Sequence, residues 1–311
     1  ELYEWRHGIC GGDFKDRRGY KSREDFCREI IIVGGTYQET CYWPVWNELL
    51  VSGWRAVWVY RTFCPDATIT YYTAGGEEVV QMLKVFSGAD KLKCQLTKAA
   101  STIGFYYNHP LSCPVVHGLT DERLKLDVKG RCVIGFGMME AQTQIEGERV
   151  DYDPQSPRHP LSFRAQGGKA DHLALVMNES EAQKLAGEIE LINIKNALFD
   201  REGCECLVVK CGAKGAVVFA SKDDKGKVVP VFKTTKVWPI GSGDVFTTVF
   251  SFSWFCGCKP VDAAKNASKA VAAYCEKSGE VETILEVLKK EDAFNQFIPK
   301  KKGLVYLAGP F

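Results

Sequence analysis

Along most of this 311-residue chain, short apolar runs bounded by glycine or polar residues alternate with segments of helical spacing. Ile30, Ile31, Ile32 and Val33 form a β-branched run ended by Gly34 and Gly35, a pattern that predicts a strand buried on both faces. A similar run from Leu173 to Met177 leads through Asn178 into a helical pattern. Leu207-Val208-Val209 and Ala216-Val217-Val218-Phe219 read as two strands around a glycine turn. The last third is helical. One helix is expected from Asp244, as its cap, through Phe246, Val249, Phe250 and Trp254, broken at Gly257. Another starts at Pro260, carries Ala264, Ala267, Val271 and Cys275 on one face, and stops at Gly279. Alternating strands and helices predict an α/β fold with a mainly parallel sheet. The Thr- and Tyr-rich stretch from Asp66 to Val116 is expected to supply a smaller strand-rich cover.

Charge changes this picture little. Forty Lys plus Arg against 39 Asp plus Glu leave a net charge of +1, which argues against a protein that coats nucleic acid or an anionic membrane. No apolar run reaches the roughly 18 residues of a membrane span; Val245 to Cys258 is interrupted by Thr247, Thr248, Ser251 and Ser253. Thirteen cysteines, several in apolar-periodic segments and none at zinc-finger spacing, read as thiols in a reducing cytoplasm. Residues 1–29 are polar and read as an extension, residues 30–299 as the folded domain, and residues 300–311 as a linker and first strand of a truncated further domain. The absence of an initiating Met fits a trimmed fragment.

The segment richest in chemistry is Pro239 to Phe246, where Gly241, Ser242 and Gly243 lead into the helix. Backbone N–H groups at such a turn, together with the helix dipole, make an anion site. The two glycines permit the close approach it requires. A carboxylate there, Asp244, would repel a phosphate held for binding alone. It makes sense as a base that takes a proton from an attacking hydroxyl while the amides hold the developing charge. The plain alternative is a turn with an ordinary Asp cap.

Pro239 to Phe246 resembles the C-terminal signature of the ribokinase-like (PfkB-type) carbohydrate and nucleoside kinases. Val209 to Val217 resembles that family's strand–glycine–strand segment, Asn178 to Glu181 its N-x-x-E motif, and Ile30 to Glu39 its opening strand and substrate loop. The matches run in the family's order. The resemblance implies a ribokinase-like three-layer sandwich with a small β-rich lid. It also implies an ATP-dependent kinase acting on a hydroxyl of a sugar or nucleoside. Asp244 would be the base, with Gly241, Ser242 and Gly243 as the anion hole. Lys210, Gly212 and Gly215 would lie along ATP, Asn178 and Glu181 would organise Mg2+, and Glu39, Ser52, Gly53, Arg55 and His109 would line the acceptor site. It leaves open a homodimer through the lid.

Departures from the family pattern fall at the acceptor end: Trp238-Pro239 replaces Asp-Thr, Glu39 replaces Asp, and Ser52-Gly53 replaces paired glycines. They keep a second reading alive, a degenerate kinase-fold domain that binds nucleotide or sugar without turnover. Arg55 suits either a substrate anion or a structural ion pair. His109 suits either a lid contact or a structural role. Asp153 is expected to bond locally ahead of Pro154, and the tryptophans from Trp43 to Trp58 to serve packing. Val305 to Phe311 resembles the first strand of nucleoside 2-deoxyribosyltransferases, which would place a nucleoside-metabolism domain after residue 311.

Overall fold

Ile30 and Ile32 point to one side of the first strand and Val33 to the other, and all three are almost fully buried. This is the arrangement expected of an apolar β-branched run that takes helices on both faces. In a computed structural model of the chain, residues 28–288 are described except 87, 89, 90, 122, 157 and 158, together with residue 296. The proposed N-terminal extension, apart from residues 28 and 29, and the tail 300–311 lie outside the described residues.

In chain order the strands are β1 (Glu29–Val33), β2 (Thr36–Cys41), β3 (Trp46–Ser52), β4 (Thr68–Gly75), β5 (Leu92–Lys98), β6 (Gly104–Tyr107), β7 (Val115–His117), β8 (Leu124–Phe136), β9 (Ala141–Asp153), β10 (Lys169–Asn178), β11 (Cys206–Lys210), β12 (Ala216–Phe219) and β13 (Lys227–Val229). The α-helices are α1 (Gly53–Phe63), α2 (Glu77–Phe86), α3 (Glu179–Ala186), α4 (Leu191–Glu202), α5 (Ser242–Phe255), α6 (Pro260–Glu276) and α7 (Ile284–Leu288). Among the described residues the main sheet runs β13-β12-β11-β10-β9-β8-β1-β4-β5. It is parallel from β11 to β5 and antiparallel at the β11–β12–β13 edge. A second sheet, β3-β2-β6-β7, forms the lid.

Two apolar clusters make the three layers. Ile30, Ile32, Ile134, Val176 and Val208 face α1, α5 and α6. Val33, Val133, Leu175, Val209 and the neighbouring Leu207 face α3 and α4. Alternate residues of β11 thus enter opposite cores, as a period of two requires. The expected cover over residues 66–116 is corrected: β4 and β5 join the main sheet, and the lid takes β6 and β7 from that stretch and β2 and β3 from before it. The reason is the connection, since α1 carries the chain from β3 over the sheet to a parallel place beside β1.

β8 and β9 each run 13 residues, yet only Gly137 to Glu140 join them. An extended strand of that length spans ~40 Å, more than so short a connection returns across. Both strands therefore fold back at the paired glycines Gly130 and Gly147. Ile145 of the first arm then lies over Gly135 of the second, where a Cβ would stand 2.5 Å from Ile145 Cδ1. No described helix is long and apolar enough to cross a membrane.

Candidate active site

Asp153, Asn178 and Lys210 end the neighbouring strands β9, β10 and β11, with Asn178 and Lys210 in register. Ligand sites of open parallel sheets lie at the carboxyl ends of their strands. The α5 terminus meets the same edge. Its cap is Gly241, in left-handed backbone at φ 75°, and Asp244 is the third helical residue, which corrects the expectation that Asp244 itself is the cap. Glycine takes this place because a side chain disfavours left-handed backbone and would collide here. A Cβ on Gly241 would stand 2.3 Å from Arg55 Cζ. No side chain caps α5. The Ser242 N–H turns inward to Pro239 O at 3.0 Å, as does its hydroxyl at 2.7 Å. The open donors at this helix start therefore belong to Gly243 and Asp244 rather than Ser242, and uncapped N–H groups of this kind attract anions.

Arg55, in the first turn of α1, reaches across the site. Its Nη1 donates to Asp244 Oδ2 at 2.6 Å and its Nη2 to Glu39 Oε2 at 2.6 Å. All three side chains are buried. Glu48 lies 3.7 Å from the same guanidinium, half-exposed at the rim. The other Asp244 oxygen, Oδ1, accepts from Gln155 Nε2. Ser52 Oγ donates to Gln155 Oε1 at 2.9 Å. Burial pushes the Glu39 carboxyl up, against the pull of Arg55, while Asp244 beside it adds to the rise. For Arg55, burial opposes the charge, but the carboxylates of Glu39 and Asp244 overcome it and hold the guanidinium ionised. Tyr107 and Tyr274 complete the surroundings, and the phenols of both are raised by burial.

A second polar cluster borders the glycine turn. Lys210 Nζ donates to Asp153 Oδ2 at 2.6 Å, and Thr247 Oγ1 donates to the same oxygen at 2.6 Å. Lys210 Nζ also lies 3.7 Å from the place of a Gly243 Cβ. The turn is thus flanked by two cations, Arg55 at Gly241 and Lys210 at Gly243. Glu181 is pushed up to about 7, first by burial and then by Asp153, with Lys210 opposing. Asn178 and Glu181 form a capping box: Asn178 Oδ1 accepts from Glu181 N at 2.9 Å, and Glu181 Oε2 accepts from Asn178 N at 2.8 Å. Each keeps some acceptor capacity, but both first serve the α3 start.

The remaining expected residues fall elsewhere. Gly53 packs against Gly34 and the Tyr71 hydroxyl, where a Cβ would stand 2.7 Å from Tyr71 Oη. Gly212 and Gly215, both at positive φ, shape the turn between β11 and β12. His109 is exposed in the lid, its Nδ1 accepting from Leu111 N at 3.2 Å within its own turn. The sequence reading missed Gln155 altogether and gave Asp153 only a local bond. That bond exists, with Gln155 N donating to Asp153 Oδ1 at 3.3 Å, but the other carboxylate oxygen meets Lys210 and Thr247. The position of Asp153 at the carboxyl end of a parallel strand is the signal that would have found it.

Residues 162–286 match the sequence model of the pfkB family carbohydrate kinases. The matched span holds Asn178, Glu181, Lys210 and the turn through Asp244. No curated protein matches the chain by sequence. By structure it is similar to a fructokinase from Vibrio cholerae O395 with fructose, ADP and calcium ion bound, at TM-score 0.62 and 14% identity over 85% of this chain and 99% of that one. It is also similar to a ribokinase from Thermotoga maritima, at TM-score 0.57 and 16% identity, covering 84% and 99% of the two chains. A nucleoside kinase from Methanocaldococcus jannaschii aligns at TM-score 0.58 and 14% identity over 85% and 98%. The fold is therefore ribokinase-like, a sugar or nucleoside kinase fold with a large, mostly parallel sheet and a small lid sheet.

Proposed function

We propose that the chain is a kinase that transfers the γ-phosphoryl group of ATP to a hydroxyl of a sugar or nucleoside, with Asp244 as general base. The observation that carries this reading is the placement of Asp244: a buried carboxylate inside an uncapped helix start, beside free amides and between two cations. A site built only to bind phosphate has no use for that carboxylate, whereas in-line transfer needs both a proton acceptor and charge stabilisation.

On this reading the acceptor lies over Glu39 and Asp244. Asp244 takes the hydroxyl proton as the oxygen attacks. The N–H groups of Gly243 and Asp244, with Arg55 and Lys210, face the charge of the transferring group. Bound Mg2+ would neutralise phosphate charge, and the residues that would hold it are Glu181 and Asp153. Two buried carboxylates sharing one lysine are an oxygen donor set that suits a hard cation. Gly212 and Gly215 border the strip from Lys210 along which the nucleotide runs.

The same ion bridge favours a second reading, in which the domain binds nucleotide or sugar without turnover. Arg55 already pairs both acids that would meet an acceptor. An assay of ADP release against a panel of sugars and nucleosides separates the two. Asp244→Asn is expected to lower kcat by ~10²–10⁴-fold. Undiminished turnover in that variant overturns the assignment of the base, and nucleotide binding with no turnover on any acceptor establishes the second reading.

A further inference from the structure

Ser52 and Gln155 share an unusual property. Both are non-glycine residues at positive φ, 65° and 42°, and they are hydrogen-bonded to each other although 103 positions apart. Ser52 ends the lid strand β3, and Gln155 follows β9. Side chains seldom occupy such backbone, and where they do, the strain tends to gather at functional sites. Glycine would relieve it at both positions.

What both side chains do is reach Asp244. The Ser52 hydroxyl fixes Gln155 Oε1 on its own side, which turns Gln155 Nε2 toward Asp244 Oδ1. Arg55, three residues after Ser52, donates to Oδ2. One short segment at the β3–α1 junction thus grips the carboxylate from two directions, once directly and once through Gln155. We infer that Ser52 and Gln155 are positioning residues, which together with Arg55 hold the Asp244 carboxylate in its working orientation and tie it to the lid strand. The inference rests on the reading of Asp244 as the base.

Glycine substitutions test it, because they keep or ease the backbone while removing the grip. Ser52→Gly and Gln155→Gly are expected to melt no lower than the wild type, yet to lose about tenfold or more in kcat, as misplaced catalytic groups do. The acceptor KM is expected to stay within about twofold, because the loss falls on the transition state. Ser52→Gly added to Gln155→Gly should cost nothing more, since the relay is already broken. Wild-type kcat in either glycine variant, or a loss that only follows a lower melting temperature, overturns the inference. If the wild type turns over no acceptor, the kinase reading falls and the grip is read by NMR of the Gln155 side-chain amide. Its protons should exchange slowly in the wild type and rapidly in Ser52→Gly and Asp244→Ala. Equal exchange in all three overturns the grip itself.

Discussion

Arg55 and Asp244, 189 positions apart, meet through a 2.6 Å bond from Nη1 to Oδ2, and the same guanidinium holds Glu39 on its other side. One cation between two buried carboxylates is an arrangement whose parts cannot be removed singly. Arg55→Gln leaves two acids facing each other away from water, and the expected loss is ~3–5 kcal/mol in chemical denaturation. Arg55→Lys keeps the charge but not the planar fork, so it should recover part of the stability and less of the activity.

The glycine turn predicts a contrast between neighbours. Gly241→Ala adds a Cβ 2.3 Å from Arg55 Cζ at a left-handed φ of 75°, so both stability and turnover should fall. The backbone strain alone is worth ~1–3 kcal/mol. Gly243→Ala meets nothing nearer than Lys210 Nζ at 3.7 Å and lies in the first helical turn. It should leave the melting temperature unchanged or higher while weakening nucleotide binding, which calorimetry would measure.

Trp238 stacks edge-on with Trp46 of the lid at 5.5 Å between ring centres, and its buried Nε1 has no hydrogen-bond partner. A buried donor left unpaired costs ~1–3 kcal/mol. Trp238→Phe keeps an aromatic face and removes the donor, so its stability should stay within ~1 kcal/mol of the wild type. Trp238→Ala should lose ~3–5 kcal/mol, the usual range for emptying an aromatic site.

Glu140 accepts from the Tyr37 hydroxyl at 3.0 Å, its other oxygen is buried without a partner, and burial raises its carboxyl to about 7. The unfolded chain releases this proton near the ordinary value of ~4.3. Between those values the folded state holds the extra proton, so stability is greatest below the lower value and declines as pH rises through 7. Glu140→Gln should match the wild type at pH 4 and exceed it at pH 8 by up to about 3 kcal/mol, as read from melting at the two pH values.

Two substitutions in the Asn178–Glu181 box separate its capping role from the proposed metal role of Glu181. Asn178→Ala should cost ~1 kcal/mol through the lost cap. Glu181→Gln retains the reciprocal bond and should instead raise the Mg2+ concentration needed for turnover, measured by metal titration of the rate.

The elements most legible in the sequence were those whose pattern is local. β1, β10, β11 and β12 announced themselves as short apolar runs cut by glycine or polar residues, and α6 as a helix opened by Pro260. Gly241 to Asp244 stood out because a glycine-rich turn before a helix has few uses. The lid was misdrawn, since Thr- and Tyr-rich strands look alike whether they pair with the core sheet or with one another.

What the sequence determined by itself is the class of fold and the glycine turn that opens α5, because periodicity and turn chemistry depend on near neighbours. Only the tertiary structure decided what surrounds Asp244. Arg55 sits beside it across 189 positions and Gln155 across 89, and Ser52 joins them through a hydrogen bond to Gln155, from a positive φ that a string of residue names does not display. Composition put the protein's net charge at +1. Folding concentrated paired charges in the site, where burial makes each pairing matter more than the sum.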